Sequence, residues 1–574
     1  MKMKRGKYVS IIRYILIKNK ITVFLIVFFT LLSLGFQFPM PLLSKYVFDN
    51  VIIPGKSELM RVVIMLFSIY LIGRLISVYF KNKLLLNFKS RTSCNLRIRI
   101  FESLLLSRIK SMEVYQSGYL AERLHQDSDE VSRFLGDSVT TLIESILLFA
   151  GGAILSWKIS HKLALISYMM LPLYAISIKV WGKRLYEQQQ NFRDTRSRSY
   201  NSASAYLKNI TYIKSLPFPQ ELIKMFEKYS LLLLKSERSV LNTSLLASLT
   251  VQTIGFISPV IILIYGAYEV INSRLTVGGL IAFNSFLGYM FNPVKNFVNI
   301  NLLYQKGKAS LDKILEFVSL PVEESDLDEI SESKIQNFDI LFNNVSFSHY
   351  GHEENKIVFS NLNLYIPHGS FTVIKGRSGG GKTTLFKLLL RIYDPEYGGV
   401  LIGNKDIKTI PLQTLRNMIG YVPQHPVLLP ETIADNLKII NPHVPIDRLN
   451  KVLRLACCEF VFGLERGIYT KINEITMNFS GGELVRINLA MALLKNPKIL
   501  LLDETLAHFD FDTKLCVLNN ILLLIVRNNT TVLLITHEDI GDLLKSLLVK
   551  DEFKQIHLVN IDLDKLMQQG IYKK

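Results

Sequence analysis

The chain has 574 residues, of which 49% are hydrophobic, and a formal net charge of +19. Its mean hydropathy of +0.26 is high for a soluble protein, and the apolar residues concentrate in uncharged runs before residue 300. These runs disfavour a soluble nucleic-acid-binding protein, which the charge alone would allow. They favour a membrane protein whose cytosolic loops are rich in Lys and Arg.

The N-terminal residues 1–20 carry seven Lys or Arg and no acidic residue. Apolar side chains recur among them at helical spacing, which predicts an interfacial helix lying on the inner leaflet. A cleaved signal peptide is the alternative. It is disfavoured because the apolar run that follows is too long and lacks a small-residue cleavage site.

Six apolar segments follow, and about 20 residues suffice for each to cross a bilayer. The fourth contains Pro172, where we expect a kink rather than a break. Arg74 and Glu144 are ionisable residues within spans. They could contact a substrate, pair with each other or lie near a membrane interface. The predicted spans are residues 21–46, 61–81, 138–158, 162–182, 239–270 and 275–295.

Two long connections between the spans are basic. Residues 81–137 hold ten Lys or Arg, and residues 183–238 hold eleven. The positive-inside rule therefore predicts that both connections and both termini are cytosolic. Apolar residues at helical spacing predict a helical hairpin in each connection, with turns near residues 114–118 and 201–205. Two such tips could contact a cytosolic partner domain.

The composition changes at Pro321. An acidic segment without apolar periodicity makes residues 321–337 a predicted linker, and residues 338–574 alternate between strand and helix patterns. The predicted fold is multidomain. An all-α six-helix transmembrane domain, residues 21–320, has long cytosolic helical extensions, and an α/β domain follows it.

The four cysteines show no zinc-binding spacing. They fall in segments predicted to be cytosolic, so we expect reduced thiols. These residues are Cys94, Cys457, Cys458 and Cys516.

Residues 376–383 match the phosphate-loop pattern G-x-x-x-x-G-K-[ST] at every fixed position, between an apolar strand and a helix. Glycines let backbone N–H groups turn toward phosphate oxygens, and the helix dipole favours the same anion. Lys382 can reach the β- and γ-phosphates, and Thr383 can ligate Mg²⁺. The predicted nucleotide-binding residues here are Gly376, Arg377, Ser378, Gly379, Gly380, Gly381, Lys382, Thr383 and Thr384.

Two further motifs complete the nucleotide chemistry. A buried strand ends in Asp503, placed to orient Mg²⁺, and Glu504, placed to polarise the attacking water. Ser480, Gly481 and Gly482 precede a helix and form a second candidate anion site. A chain with one phosphate loop needs no second phosphate site of its own. This motif therefore predicts a dimer with two nucleotides at its interface.

In this order the motifs resemble those of ATP-binding-cassette transporters of the exporter type, as a half-transporter whose membrane domain precedes the cassette. The resemblance covers almost the whole chain, and it implies that the α/β domain is a P-loop NTPase of the cassette type. It implies ATP and Mg²⁺ as cofactors, with Glu504, His537 and Lys382 as catalytic residues. The implied Mg²⁺ site is Thr383, Gln424 and Asp503. The implied signature, which serves the ATP of the opposite subunit, is Ser480, Gly481, Gly482 and Glu483.

The resemblance also implies that Asp510 is the D-loop acid and that His349 or Tyr350 stacks on adenine. In the membrane domain, Ser117, Gly118, Arg123 and Asp127 resemble the segment at the first coupling helix. Three features depart from the family pattern and put the ATPase rate in question. They are Phe479 and Glu483 where Leu and Gln are usual, residues 473–476 without the usual glycines, and a D-loop of residues 507–510 with an unusual sequence.

The resemblance implies ATP-driven export by alternating access across the cytoplasmic membrane. Spans rich in Phe and Tyr and poor in charge favour an amphipathic substrate: a small peptide or natural product, a lipid or a drug-like compound. Intact Glu504 and signature glycines favour a homodimer, and a bacterial membrane is expected. The alternatives are a heterodimer that flips lipids or exports drugs, an ATP-gated channel or regulatory subunit, and a soluble module acting on nucleic acid. We expect no nucleic-acid partner.

Overall fold

The structure is a computed structural model that describes residues 12–113, 115, 117–323, 335, 337–350, 355–472 and 479–566. It divides into two compact units. The first unit comprises Met1–Leu105 and Tyr115–Leu320, and the second comprises Leu106–Val114 and Pro321–Lys574. Of the predicted interfacial helix, residues 12–18 are helical and residues 1–11 lie outside the described part. Most of the predicted linker also lies outside it.

The first unit is entirely helical in its described residues. Long helices dominate because an α-helix satisfies the backbone hydrogen bonds of an uncharged apolar segment within that segment. Several of these helices continue beyond the apolar segment into amphipathic extensions. The helices in this part of the sequence are α1 (Lys20–Gln37), α2 (Pro39–Val47), α3 (Met60–Leu106), α4 (Ile109–Met112), α5 (Ser117–Arg133), α6 (Val139–Ile159), α7 (His161–Lys208), α8 (Ile210–Lys214), α9 (Pro219–Ile271) and α10 (Val277–Val318). Of these, only α4 belongs to the second unit.

Five helical segments among the described residues are long and apolar enough to cross a membrane. They are Lys20–Ile52, Ser57–Leu106, Gly118–Ile159, His161–Leu207 and Gln220–Ile271. The sixth predicted span falls on α10, which is not among the five, so the count of six stays a prediction. Pro172 lies inside α7 and does not end it.

The turn predicted at residues 201–205 is wrong, because α7 continues through it to Lys208. The chain turns instead around α8 and enters α9 at Pro219, whose missing N–H suits the first turn of a helix. Helical periodicity continues across residues 201–205, so the sequence there contains no helix-breaking signal. In the first connection, α3 ends at Leu106, and α4 precedes the start of α5 at Ser117.

Packing within the first unit places α7 along α9 and α6 along α10. Tyr174 of α7 stacks on Phe291 of α10 with ring centroids 5.0 Å apart. Glu144 of α6 accepts a hydrogen bond from Lys81 of α3 at 2.7 Å. The possibility that Glu144 pairs with Arg74 is therefore excluded here, and Arg74 forms no ion pair within the described residues.

The second unit contains two sheets. A four-stranded antiparallel sheet has the order β2-β1-β4-β5, and a five-stranded parallel sheet has the order β6-β7-β8-β3-β9. The strands are β1 (Ile340–Tyr350), β2 (Asn355–Ile366), β3 (Phe371–Lys375), β4 (Tyr397–Ile402), β5 (Lys405–Asp406), β6 (Ile419–Val422), β7 (Ile499–Asp503), β8 (Thr531–Ile535) and β9 (Leu558–Asp562).

Helices cover the parallel sheet, as its continuous apolar strands require. Strands β7 and β8 are buried at every position. The helices are α11 (Lys382–Leu389), α12 (Leu412–Met418), α13 (Ile433–Lys438), α14 (Ile446–Leu455), α15 (Glu459–Phe462), α16 (Gly481–Leu494), α17 (Phe511–Asn528) and α18 (Gly541–Leu548).

Residues 106–114 belong to the second unit although they lie in the first long connection of the sequence. Ser107 forms an antiparallel bridge with Val322, and Ile109 of α4 packs against the core of the second unit. Tyr393 donates a hydrogen bond from its hydroxyl to Glu113. This short segment is thus anchored by backbone pairing, by apolar burial and by a buried tyrosine.

A disulfide joins Cys457 to Cys516 across a sequence separation of 59 residues. The prediction of four reduced thiols is wrong for this pair, whereas Cys94 and Cys458 are free. A cytosolic location predicts that a thiol is usually reduced, but it does not indicate which cysteines the fold brings together. Here a left-handed Cys457 (φ 55°) after α14 faces the first turns of α17.

Candidate nucleotide-binding site

The predicted catalytic motifs meet at one edge of the parallel sheet. Strands β3, β6, β7 and β8 run parallel, so their carboxyl ends share this edge. The phosphate loop follows β3, Gln424 follows β6, Glu504 follows β7 and His537 follows β8. Ligands of open α/β sheets bind at such carboxyl ends.

The phosphate loop needs its glycines at two positions. Gly379 and Gly381 have φ of 77° and 86°, in the left-handed region that other residues rarely adopt. A Cβ on Gly381 would also lie 2.6 Å from the Val358 side chain of β2. Helix α11 begins directly after Gly381, and no side chain caps its first N–H groups. These N–H groups can therefore donate to an anion.

Lys382 lies folded over its own loop. Its Nζ donates to the carbonyl oxygens of Gly376 at 2.8 Å and Arg377 at 3.1 Å. The side chain is buried, so the ammonium is held among backbone dipoles rather than in bulk water. A phosphate bound to the loop would meet a cation already in place.

Glu504 is held from two sides. Gln424 donates from Nε2 to one carboxylate oxygen at 2.7 Å, and Nε2 of His537 lies 3.1 Å from the other. The Glu504 backbone is left-handed, with φ 50° and ψ 25°. Non-glycine residues in this region are strained and cluster at functional sites. The strained turn places the carboxylate just beyond the buried strand β7.

His537 links the acid to the lysine. The same Nε2 lies 3.1 Å from Lys382 Nζ. A ring nitrogen carries either a proton or a lone pair, so it can donate to Glu504 or accept from Lys382, but not both at once. The position of one proton therefore decides which neighbour His537 holds.

Asp503 has the environment of a cation ligand. Both of its carboxylate oxygens are buried and accept no hydrogen bond of normal geometry within the described residues. Burial raises the pKa of this carboxyl, and the Thr383 hydroxyl faces it. An unpaired buried carboxylate beside a hydroxyl suits Mg²⁺, which prefers oxygen ligands.

The predicted adenine side is only partly described. His349 Nε2 lies 3.3 Å from the Thr384 hydroxyl, next to the phosphate loop. Its ring packs edge-on against Tyr393 with centroids 5.4 Å apart. The side chain of Tyr350 lies outside the described residues. Only His349 is therefore placed here, and the choice between the two rings stays a prediction.

The signature segment is built around a helix N-terminus. Ser480 caps α16: its hydroxyl accepts from the N–H of Glu483 at 3.3 Å, and Glu483 accepts from the N–H of Ser480 at 2.7 Å. This reciprocal capping box explains how an acid fits where the family pattern has Gln. Phe479 is buried against Phe460, which accounts for the second departure. Residues 473–478, including the predicted departure at 473–476, lie outside the described part.

The D-loop packs against the signature. A Cβ on Gly482 would lie 2.7 Å from the carbonyl oxygen of His508, so only glycine fits there. Asp510 caps α17 by accepting from the Thr513 N–H. A hydrogen bond from the Thr513 side chain is the largest cause of the lowered pKa of Asp510, and the bond from the Thr513 N–H lowers the pKa further. No hydrogen bond or ion pair among the described residues joins the signature to the phosphate loop of its own chain.

Two contacts were missed by sequence reasoning. Asp564 accepts a hydrogen bond from the Arg377 N–H at 2.8 Å and pairs with the Arg377 guanidinium at 3.4 Å. It lies 187 residues from that loop in sequence, and no local motif marks it. The bond from Tyr393 to Glu113 was missed for the same reason.

Family models match both halves of the chain. A model described as "ABC transporter transmembrane region" matches residues 23–294, and one described as "ABC transporter" matches residues 359–507. The chain belongs to the ATP-binding-cassette (ABC) transporters. It carries the membrane region and the cassette of this family fused in one chain, and it is an ATPase coupled to transport.

Several curated ABC proteins are similar over most of the chain. The ATP-binding/permease protein YgaD of Bacillus subtilis, whose name assigns it provisionally to multidrug export, is 27% identical over 86% of each chain. The leukotoxin export ATP-binding protein LtxB of Aggregatibacter actinomycetemcomitans is 29% identical, over 87% of this chain and 69% of its own length. The α-hemolysin translocation ATP-binding protein HlyB of Escherichia coli O157:H7 is 28% identical, over 87% and 70%.

A solved structure shares the fold. The structure of a bacterial Atm1-family ABC exporter with ATP bound matches with a TM-score of 0.78. It covers 96% of this chain and 97% of its own, at 19% sequence identity. The ABC exporter fold is thereby established for this membrane protein.

Proposed function

We propose that this protein is a bacterial exporter that uses ATP to move an amphipathic substrate across the cytoplasmic membrane. The substrate would be a small peptide or natural product, a lipid or a drug-like compound. The observation that supports ATP hydrolysis is the network at the edge of the parallel sheet. There Nε2 of His537 lies within hydrogen-bonding distance of both the Lys382 ammonium and the Glu504 carboxylate. The export relatives and the exporter fold support the direction of transport.

In this proposal the phosphates of ATP lie on the N-terminus of α11, with Lys382 turned from its own loop toward them. Thr383, Asp503 and Gln424 would hold Mg²⁺, which would neutralise charge on the phosphates. Glu504 polarises the attacking water. His537, released from Lys382 when the lysine turns, can hold Glu504 and stabilise the γ-phosphate.

The assembly would be a dimer. Ser480 and Gly481 are exposed and separate from their own phosphate loop, which suits contact with the ATP of a second copy. Closure of two cassettes on two ATP molecules would be passed to the membrane helices through the anchored residues 106–114. Alternating access then follows from cycles of closure and opening.

The test is Glu504→Gln in the full-length chain in lipid nanodiscs. ATP binding should persist while turnover falls by about 10²-fold or more, the usual contribution of a general base. Glu538→Gln is the matched control, because Glu538 lies three residues beyond the end of β8 and pairs with Lys514 instead. Turnover near that of the unchanged chain would contradict the assignment of Glu504.

The rival assemblies are tested with the same material. ATPase activity of the purified chain alone supports a homodimer, and inactivity until a second half-transporter is added supports a heterodimer. A channel would pass substrate down its gradient with Glu504→Gln in place, whereas an exporter would not. Candidate substrates can be ranked by stimulation of ATPase activity and by uptake into inverted vesicles.

A further inference from the structure

The disulfide joins a buried cysteine, Cys457, to an exposed one, Cys516. Cys457, just after α14, is 3% exposed, whereas Cys516 on α17 lies at the surface. Their Cα atoms are 6.6 Å apart, within the range that a disulfide spans without backbone movement. Cys516 is therefore the residue of the pair that lies at the surface, and Cys457 is buried beneath it.

A cassette that hydrolyses ATP works in the cytosol, where structural disulfides are rare. Disulfides that do form there are usually transient and redox-sensing. We propose that Cys457 and Cys516 form a reversible modification site, which small disulfides of the cytosol oxidise and small thiols reduce.

A cavity of about 490 Å³ beside the pair fits a small ligand of this class. Asn520 lines it, and its amide nitrogen lies 3.5 Å from the Cys457 sulfur and 3.9 Å from the Cys516 sulfur. Lys451 and Arg454 against Asp447 give the lining a net positive charge. An anionic peptide disulfide would place its carboxylates against these cations and its sulfurs near Cys516.

The chemistry balances without any other reactant. The Cys516 thiolate attacks a sulfur of the small disulfide, forming a mixed disulfide and releasing one thiolate. The Cys457 thiolate then attacks the Cys516 sulfur, which forms the internal disulfide and releases the second thiolate. Two protein thiols are oxidised, and one small disulfide is reduced to two thiols.

The neighbouring cysteine is excluded by its environment. Cys458 is free and fully buried, so a small disulfide in the solvent does not reach its sulfur, and burial raises the pKa of its thiol to about 12. Cys94 is exposed but belongs to the first unit, away in sequence from any partner cysteine. These two residues supply a buried control and an exposed control.

The disulfide ties together the elements that carry the signature and the D-loop. Arg486 of the signature helix α16 donates to the carbonyl oxygen of Cys457 at 2.8 Å and lies over the Phe460 ring. Cys516 lies on α17, which Asp510 caps. Oxidation would therefore restrict movement of α16 against α17. This consequence rests on the proposed roles of Ser480 and Asp510 in the dimer.

The first experiment measures the modification alone. Full-length protein in nanodiscs is equilibrated with oxidised and reduced glutathione at a series of ratios, then alkylated in denaturant, so that buried thiols also react, and mapped by mass spectrometry. We expect alkylatable thiols to fall from four to two on oxidation, with a cross-linked peptide containing Cys457 and Cys516, and to return to four on reduction. Cys516→Ser should keep three thiols throughout, and Cys94→Ser should lose two as the unchanged chain does.

Failure of the cross-link to appear at any ratio, or to reverse, would overturn the proposal. This result does not depend on ATPase activity, so it is distinct from failure of the proposed function.

The second experiment measures turnover in the same samples. We expect oxidation to lower turnover about threefold or more in the unchanged chain and in Cys458→Ala, and to leave Cys516→Ser unaffected. Equal turnover of fully cross-linked and fully reduced protein would overturn the regulatory role.

Discussion

The two glycine-rich helix N-termini of the cassette differ in whether a side chain caps the backbone N–H groups of the first turn. Helix α11 starts after the left-handed Gly381 without a side-chain cap, and a buried lysine lies over it. Helix α16 begins after Ser480, whose hydroxyl accepts from the Glu483 N–H while the Glu483 carboxylate accepts from the Ser480 N–H. The first is an uncapped anion site with its own cation, and the second is partly capped by its own side chains and has no cation among its first residues.

This difference indicates a division of labour. The phosphate loop can bind an anion by itself, because its N–H groups and Lys382 need no other subunit. The signature helix brings no cation among its first residues and presents Ser480 and Gly481 outward. It therefore suits an anion that is already held elsewhere. Two copies arranged face to face would satisfy both requirements.

The largest expected effect is at the open site. Lys382→Ala removes the only cation that the described loop residues place over the phosphate position, so ATP turnover should fall by about 10²-fold or more. Nucleotide binding should weaken with it, as measured by equilibrium titration. Lys375→Ala is the control, because that side chain forms only an exposed pair with Asp539. An equal loss in both variants would mean that the effect is general charge and not the phosphate loop.

The second effect isolates the dimer. A Cβ on Gly481 meets no atom within 4 Å in its own chain, so Gly481→Ala should fold normally. We expect turnover to fall about tenfold or more, because a methyl group would block close approach of a phosphate from another copy. ATP binding to the open phosphate loop should be unchanged. Normal turnover in this variant would exclude the face-to-face arrangement.

The cassette could be predicted from the sequence to a greater depth than the membrane unit. Gly381, Lys382 and Glu504 belong to short motifs whose spacing is fixed by strand, turn and helix geometry, and the structure brings them together. The membrane unit offers only apolar length and charge placement. Those signals predict long apolar helices, but they do not predict the turn after Lys208, since helical periodicity continues through residues 201–205.

What escaped prediction consists of contacts between residues distant in sequence. Asp564 on the phosphate loop, Glu113 against Tyr393 and the pairing of Cys457 with Cys516 all join separate elements. None has a local pattern, because each depends on how the elements pack and not on their own periodicity. Glu144 shows the same limit, since it pairs with Lys81 and not with Arg74.

The third prediction concerns the contact between the phosphate-loop region and residues 106–114, for which the signature helix has no counterpart among the described residues. Tyr393 joins Glu113, beside α4, to the ring of His349 near the loop. Tyr393→Phe keeps the ring packing and removes only the hydroxyl. We expect substrate-stimulated ATPase activity to fall about threefold while basal activity changes little, because the anchoring of residues 106–114 is weakened. Tyr397→Phe, at an exposed tyrosine, is the control. Unchanged stimulation would show that this hydrogen bond carries no coupling.

The smallest expected effect tests the capping box at the start of α16. Glu483→Gln keeps an oxygen that can accept from the Ser480 N–H, so the capping box survives, but it removes a negative charge from the first turn of α16. Loss of a helix N-terminal acid should cost about 0.3–1 kcal/mol of stability and lower the melting temperature slightly. The KM for ATP should fall about twofold, since the γ-phosphate bound by the other copy no longer meets a carboxylate. Glu465→Gln, at an exposed acid of the same unit, should change neither quantity. A KM that does not fall in Glu483→Gln would mean that Glu483 lies too far from the phosphates for its charge to matter, and the signature would then contact the nucleotide through Ser480 and Gly481 alone.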